Sequence, residues 1–523
     1  MSEPGSRPSE TRPRDAAAGT FTHREILVIL SGIMLGMLLA GLDQTIVATA
    51  LPTIARELQG IEHMSWVVSA YLLTSTASTP IYGKLSDLYG RKVMLQVALG
   101  IFLVASILCA LAGTMTQLIL FRALQGLGGG GLISMAHATI ADVISPRDRG
   151  RYQGYFSAVF AATSVGGPVL GGFFADHLTW RWVFWINPPI GVAAILISNH
   201  AMRKLVARRV AGEIDYWGAS LLVTAVTLLL LVTTWGGVTL PWSSPQILGL
   251  TLLGLAFTAA FLLRERVARD PILPLRLFLN RVFSVASIVS FLTSMAMFGG
   301  IVYLPLFLQL VAGDTASESG FLLIPFTGTT VVGAYIAGQL VSRTGRYKLY
   351  PCLGLVFATI AFVLLAFTGA ATSEAVSAAY MALLGVGIGM VLPVMVVSIQ
   401  NAVELRDLGT ATGALNFFRS MGGSFGVALL GSVLLAQLSD RIAAVPGHEQ
   451  LGPHPSLDLL HGQTGGIAAI AATTRALLVG VVQHSFTIVF LCAAAIALAG
   501  FAICVFLKEI PLRTTPALSA PTE

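Results

Sequence analysis

Fourteen apolar stretches succeed one another along the chain, near residues 26–52, 64–82, 93–113, 116–141, 152–175, 182–202, 217–237, 246–263, 282–312, 319–341, 349–370, 376–400, 410–436 and 477–507. Each reaches the length of about 20 residues that carries an α-helix across the hydrocarbon core of a bilayer. Lipid offers no hydrogen bonds to a backbone, so such segments must satisfy their own peptide groups, and unbroken apolar runs do this as helices. Composition agrees: 55% of the 523 residues are hydrophobic and 11% charged, against about a quarter charged in soluble domains. The expected class is all-α, integral to the membrane, with fourteen spans.

An even number of spans puts both termini on one side. If that side is the cytoplasm, its segments hold 25 of the 31 Lys and Arg residues, the bias that marks an inner face. Arg56, Arg181, Arg441 and Arg475 fall on the other side, while Arg122 and Arg419 fall within spans. The net charge of +6 therefore reports topology, and no nucleic acid is implied. Residues 1–25 read as a polar tail leading into an uncleaved first span, and 508–523 as a second tail on the same side. The longest connector, 437–475, lies outside; it reads as a flexible link, with an interfacial helix near 467–472 as the alternative. Cys109, Cys352, Cys492 and Cys504 sit in apolar runs without ligand spacing and read as packing residues.

Short motifs carry more information. Between spans two and three the chain reads GKLSDLYGRK, Gly83 to Lys92. Gly83 and Gly90 permit close backbone approach, and Asp87 can cap a helix or pair across an interface. The first span carries LDQTIVATALP (Leu42–Pro52), the fourth RALQGLGGGG (Arg122–Gly131), the fifth GGPVLGG (Gly166–Gly172), followed by WRWVFWINPPIG (Trp180–Gly191); NFFRSMGGSFG (Asn416–Gly426) lies in the thirteenth. Together these resemble the major facilitator superfamily, and within it the fourteen-helix drug:proton antiporters.

That resemblance implies the major facilitator fold: a six-helix bundle over 26–202, a second over 282–507, and two inserted helices within 203–281. It implies alternating access by rocking of the bundles, with Gly83, Asp87, Gly90, Arg91 and Lys92 as a latch and Gly166, Gly167, Pro168, Gly171 and Gly172 as a bent, tightly packed helix. Leu88 replaces a residue that is often basic in the family, so ion pairing would rest on Asp87, Arg91 and Lys92. Thr163 stands where the family has a further glycine, which predicts slightly relaxed packing. GQLVSRTGRYK (Gly338–Lys348) echoes the latch in the second bundle, with Ser342 and Arg343 in place of the aspartate region, and predicts a weaker contact.

Asp43 is the carboxylate placed deep within a span, where a charge costs about 2.5–3.5 kcal/mol. A carboxylate that is charged when empty and neutral when protonated can couple proton entry to solute release; the alternative is a permanently bonded packing residue. Arg122 and Gln125, one turn apart on the fourth span, face the same side. A guanidinium beside Asp43 would favour the ionised form and oppose desolvation, so a change in their separation could switch protonation. Arg122 bound to backbone carbonyls is the structural alternative. Arg419 is expected to serve structure or a gate ahead of direct anion contact. The run Gly126 to Gly131 lies in an apolar span with no preceding strand, which excludes a dinucleotide site and favours tight helix packing. Weak cavity candidates are Trp66, Tyr71, Gln309, Gln339, Asn416 and Phe417; His137 reads as structural ahead of a proton relay.

No nucleophile or metal constellation and no Walker sequence is present, so neither an enzyme, a metal nor a cofactor is expected. The expected function is a proton-coupled exporter of amphipathic, drug-like compounds, with a cationic bias if Asp43 also meets the substrate. A dedicated exporter of one metabolite, lipid or siderophore shares the same features, and a non-transporting sensor or scaffold is a distant third. Expected partners are the small-molecule substrate, protons and membrane lipids, with a periplasmic adaptor if the host has an outer membrane. The expected location is the bacterial inner membrane.

Overall fold

The computed structural model describes residues 23–60, 63–204, 212–237, 240–312, 323–369, 372–442 and 472–513. Its long elements are helices: α1 (His23–Glu57), α2 (Met64–Tyr89), α3 (Arg91–Ala110), α4 (Met115–Val143), α5 (Pro146–His177), α6 (Trp182–Trp185) and α7 (Asn187–Ala201). Then come α8 (Tyr216–Trp235), α9 (Pro245–Val267), α10 (Arg281–Phe307), α11 (Leu323–Thr344), α12 (Leu349–Ala366), α13 (Glu374–Ala402), α14 (Leu408–Ile442) and α15 (Ala472–Cys504).

The helices start where the sequence provides caps. Thr114 accepts from Gln117 N at the head of α4, and Ser145 accepts from Asp148 N with Pro146 next to it at the head of α5. A side-chain oxygen there satisfies one of the four free N–H groups, and proline lacks the one that would be wasted. The sixth span is broken into α6 and α7 because Pro188 and Pro189 can sit only in the first turn of a helix. Thirteen helical segments among the described residues are long and apolar enough to cross a bilayer, α6 and α7 counting as one. α2 falls outside that set, since its middle reads TSTASTP. Ser75, Thr76, Ser78 and Thr79 are buried against other helices, so the fourteenth crossing is polar without facing lipid.

The packing pattern is repeated. In the first half α1 packs on α5 and α7, α2 on α4, and α3 on α4 and α7. In the second half α10 packs on α14 and α15, α11 on α13, and α12 on α13 and α15. Numbered by span within each half, these are the same five pairings, the mark of an internal repeat. The hairpin of α8 and α9 packs through α8 on α2 and α14, one helix from each half.

The halves meet through exchanged partners, α2 on α14 and α5 on α11. Glycines make both contacts possible, at the end that carries both termini. A Cβ at Gly83 would lie 2.6 Å from Gly409 O, and one at Gly150 would lie 2.6 Å from Gly338 O. The segment after α15 also closes this end. Tyr347 Oη donates to Lys508 O (2.6 Å), Ile510 N donates to Tyr347 Oη (3.0 Å), and Asn401 Nδ2 donates to Pro511 O (3.1 Å). Arg147 N, on the first half, donates to Arg513 O (3.4 Å). Residues 508–513 are thus a strap where a free tail was expected. The 437–475 loop, apart from the ends of α14 and α15, and the 467–472 helix lie outside the described residues.

Two halves held by interlocked backbones cannot tolerate a side chain between them. Gly150→Val should therefore shift the population away from the closed terminus-bearing face. Spin labels at Arg151 and Arg343, in a cysteine-free background, should report longer distances in the variant; an unchanged distribution would refute the close contact.

Candidate functional site

Asp43 sits in the middle of α1 with no exposed surface. Its Oδ2 pairs with Arg122 Nη1, which also donates to Gln125 Oε1 (2.6 Å). Its Oδ1 accepts from Gln125 Nε2 (2.8 Å) and from Asn187 Nδ2 (3.3 Å). Ser106 Oγ on α3 is shared by the same two amides, at 2.6 Å from Gln125 Nε2 and 3.1 Å from Asn187 Nδ2. Arg122 Nε donates to Val67 O (3.2 Å), and the guanidinium lies 4.3 Å from the Tyr71 ring centre.

Five elements of the first half thus converge on one carboxylate. The α4 pair acts together because residues three apart share a helix face, and Asn187 reaches the site because the break before α7 places it at the head of a new helix. An isolated charge could not be kept here; a pair with its remaining hydrogen-bonding capacity met can be. Two polar atoms of the cluster, Tyr71 Oη and Asn187 Oδ1, are buried without a hydrogen-bond partner.

The sequence pointed to Asp43, Arg122 and Gln125, and the structure joins them. It missed Ser106 and Asn187. The available signal was an isolated serine in an apolar third span and an asparagine before two prolines. Tyr71, expected as a cavity residue, instead packs on Arg122.

The second cluster lies between the halves. Asp87, at the end of α2, accepts from Gly409 N (3.1 Å), Thr410 N (2.9 Å) and Thr410 Oγ1 (3.0 Å), so it caps α14 of the opposite half. Arg91 folds back on it (2.7 Å), pairs with Asp142 (2.9 Å) and donates to Ser86 Oγ. Gly90, at φ 91°, makes the fold-back possible. Lys92, expected in the latch, takes no part in an ion pair among the described residues; Arg91 alone supplies the cation, and Asp142 on α4 joins it as a second acid. At the echo in the second half, Arg147 Nε donates to Ser342 O (3.1 Å). A further tie was not foreseen. Buried Arg149 donates to Ile144 O (2.8 Å), to Ala141 O and to Gln400 Oε1 on α13 (3.3 Å), and Gln400 Nε2 donates to His137 O (3.0 Å).

The glycine motifs divide by role. Gly167 and Gly171 face α1 at Thr45, Ile46 and Thr49, whereas Gly166 and Gly172 have open space beside them; Pro168 is inside α5. Thr163 does not relax this contact. A Cβ at Gly41 would meet Thr163 Oγ1 at 2.8 Å, and Thr45 Oγ1 donates to Thr163 O (3.0 Å), so the missing glycine has moved to the partner helix. Gly126, Gly129 and Gly130 lie against α2, and Gly128 against α3.

The remaining candidates scatter. Trp66 packs edge-on to Trp235 of α8 (5.5 Å), Gln339 Nε2 donates to Tyr335 Oη (3.2 Å), and Gln309 lies in a π-turn, Leu308–Ala312, that ends α10. Buried His137 bonds Ile133 O (3.1 Å) and meets Phe156 edge-on. Phe417 packs on Phe418, Asn416 is buried, and Arg419 stands 5.9 Å from the Phe160 ring centre on α5.

Known proteins match this arrangement. A profile described as Major Facilitator Superfamily covers residues 33–427. "Multidrug transporter protein MdtP" of Bacillus subtilis is 39% identical over 444 residues, covering 84% of this chain and 80% of its own length. "Multidrug resistance protein 3" of the same organism is 34% identical over 496 residues, covering 93% and 96%. Among solved structures, the proton:xylose symporter XylE shares the fold at TM-score 0.60 and 13% identity, covering 94% of this chain and 97% of that one. With its repeated helical halves and its match across most of the length, the chain belongs to the major facilitator superfamily of multi-pass membrane transporters, which are not enzymes.

Proposed function

We propose that this transporter is an exporter that exchanges protons for amphipathic, drug-like compounds, with Asp43 as the coupling carboxylate. The observation that carries the reading is the sealed Asp43–Arg122 pair. In the conformation described, the halves are closed at the terminus-bearing face and Asp43 is paired with Arg122. Rocking of the halves strains the helices that hold the pair. When Arg122 withdraws, desolvation favours the protonated acid; Asn187 Oδ1, buried without a donor, can then accept the new O–H after a turn of its amide. Proton binding and helix rearrangement become one event.

The relatives named as multidrug proteins support export. The excess of Lys and Arg supports placing the terminus-bearing face in the cytoplasm of a bacterial inner membrane. The Asp87 cap and the Arg149–Gln400 tie then form the inner gate, which must break for substrate to enter. The cationic bias expected from a lone carboxylate loses its basis, since Asp43 is enclosed by Arg122, Gln125 and Asn187 and offers no free face to a substrate.

In proteoliposomes carrying an imposed proton gradient, Asp43→Asn should abolish gradient-driven flux while folded yield is retained. Because it leaves Arg122 without a counter-charge, the double variant Asp43→Asn, Arg122→Gln serves as the control for folding. Full gradient-driven flux in the single variant would exclude Asp43 as the coupling group. Asp87→Asn removes charge-assisted bonds of about 1.5–3 kcal/mol each. It should raise the accessibility of a cysteine placed at Thr412 to a thiol reagent added from the terminus-bearing side by about tenfold or more; unchanged labelling would remove Asp87 from the gate.

A further inference from the structure

Arg419 is the charge in the membrane interior that the coupling site and the gate leave unexplained. It lies about 16 Å along α14 from Leu408, at 1.5 Å per residue. The other interior charges are accounted for. Arg122 is paired with Asp43, Arg91 with Asp87 and Asp142, and Arg149 is held by carbonyl oxygens. Arg419, among the described residues, makes no ion pair and no hydrogen bond; it faces the ring of Phe160 on α5 and lies near His137 of α4, both in the opposite half. The residue is partly exposed as a whole, and its guanidinium is enclosed where α14 of one half faces Phe160 of the other. One turn earlier, on the same face of α14, Asn416 is 4% exposed and its amide nitrogen has no partner.

We infer that Arg419 and Asn416 form a docking point for the acidic group of the substrate, a carboxylate or sulfonate on an amphipathic body. The inference rests on the reading of the chain as an exporter and names the substrate class. A guanidinium and an unpartnered amide N–H on one face, with a fixed positive charge, match an acceptor-only anionic group through charge-assisted hydrogen bonds. An arginine in a membrane interior that lacks a partner marks a functional position by default. Phe160 across the gap, with Phe417 and Phe418 beside the arginine, supplies apolar surface for the rest of the molecule. A cationic group at the same place would meet like charge without compensation and be disfavoured. Alternating access also suits the location, because the point is shared by α14 of one half and α5 of the other, the elements whose separation changes.

The test uses purified full-length protein in lipid nanodiscs, with protein-free nanodiscs subtracted, and two fluorescent probes of one body: 11-(dansylamino)undecanoate and its methyl ester. The wild type should bind the carboxylate about tenfold more tightly than the ester. Arg419→Gln should erase that ratio while leaving ester binding unchanged, which also reports that the variant is folded, and Arg419→Lys should keep part of it. Asn416→Ala should reduce the ratio less. Equal binding of the two probes by the wild type, binding of neither, or a ratio that survives Arg419→Gln would overturn the inference, and the wild-type ratio decides even if a variant fails to fold. Binding is measured without a gradient, so loss of proton coupling in the flux assay would fail the exporter reading separately.

Discussion

A buried ion pair inside one six-span half, Asp43 with Arg122, sets the terms for the rest of the molecule. Neither charge can stay in a low-dielectric interior alone, so the surrounding helices are arranged to keep both satisfied: Ser106 from α3, Gln125 from α4, Asn187 from the broken sixth span and Val67 O from α2. Such a pair contributes little net stability, because desolvation takes back what Coulomb attraction gives. In the proposed cycle its value would lie in a second arrangement, protonated and apart, which would tie a proton to a helix position.

At the surface of the halves the same physics joins one bundle to the other. Asp87 is held by Arg91 in its own bundle and caps a helix of the other one, so its bonds to Gly409 and Thr410 span the two halves. Glycines at positions 83, 150, 338 and 409 make the junction of the halves an approach of backbone to backbone. Beside those backbone contacts the interface is apolar, with Leu73, Ala77 and Ala141 of the first half in one buried cluster with Val341, Leu408, Ala411 and Leu415 of the second. The strap from Lys508 to Arg513 joins the second half to Arg147 of the first, a further tie between them.

Much of this was legible in the sequence, and the reasons are physical. Span positions followed from apolar run length, because lipid leaves few alternatives. Asp43 and Arg122 stood out because charges are rare in spans, and Gln125 because one helical turn fixes its side. The reading failed where function rests on uncharged or distant residues. Ser106 and Asn187 look like ordinary span residues until α3 and α7 are brought beside α1. Asp142 joined the latch and Lys92 did not, because the fold, invisible in a loop motif, brings α4 beside Arg91. Thr163 looked like a defect in a glycine motif, yet its side chain fills the space left by Gly41 on the facing helix. Arg419 was visible as a charge, while its lack of partners is a property of the packed molecule.

The central claim is that Asp43 changes protonation as the halves rock. Infrared difference spectroscopy of the wild type and Asp43→Asn, between conditions that close and open the terminus-bearing face, tests it directly. The account predicts a protonated carboxylic acid C=O band that appears as the face opens in the wild type and is missing from the variant. A carboxylate that stays ionised in both conformations, or an acid band that persists without Asp43, would contradict it.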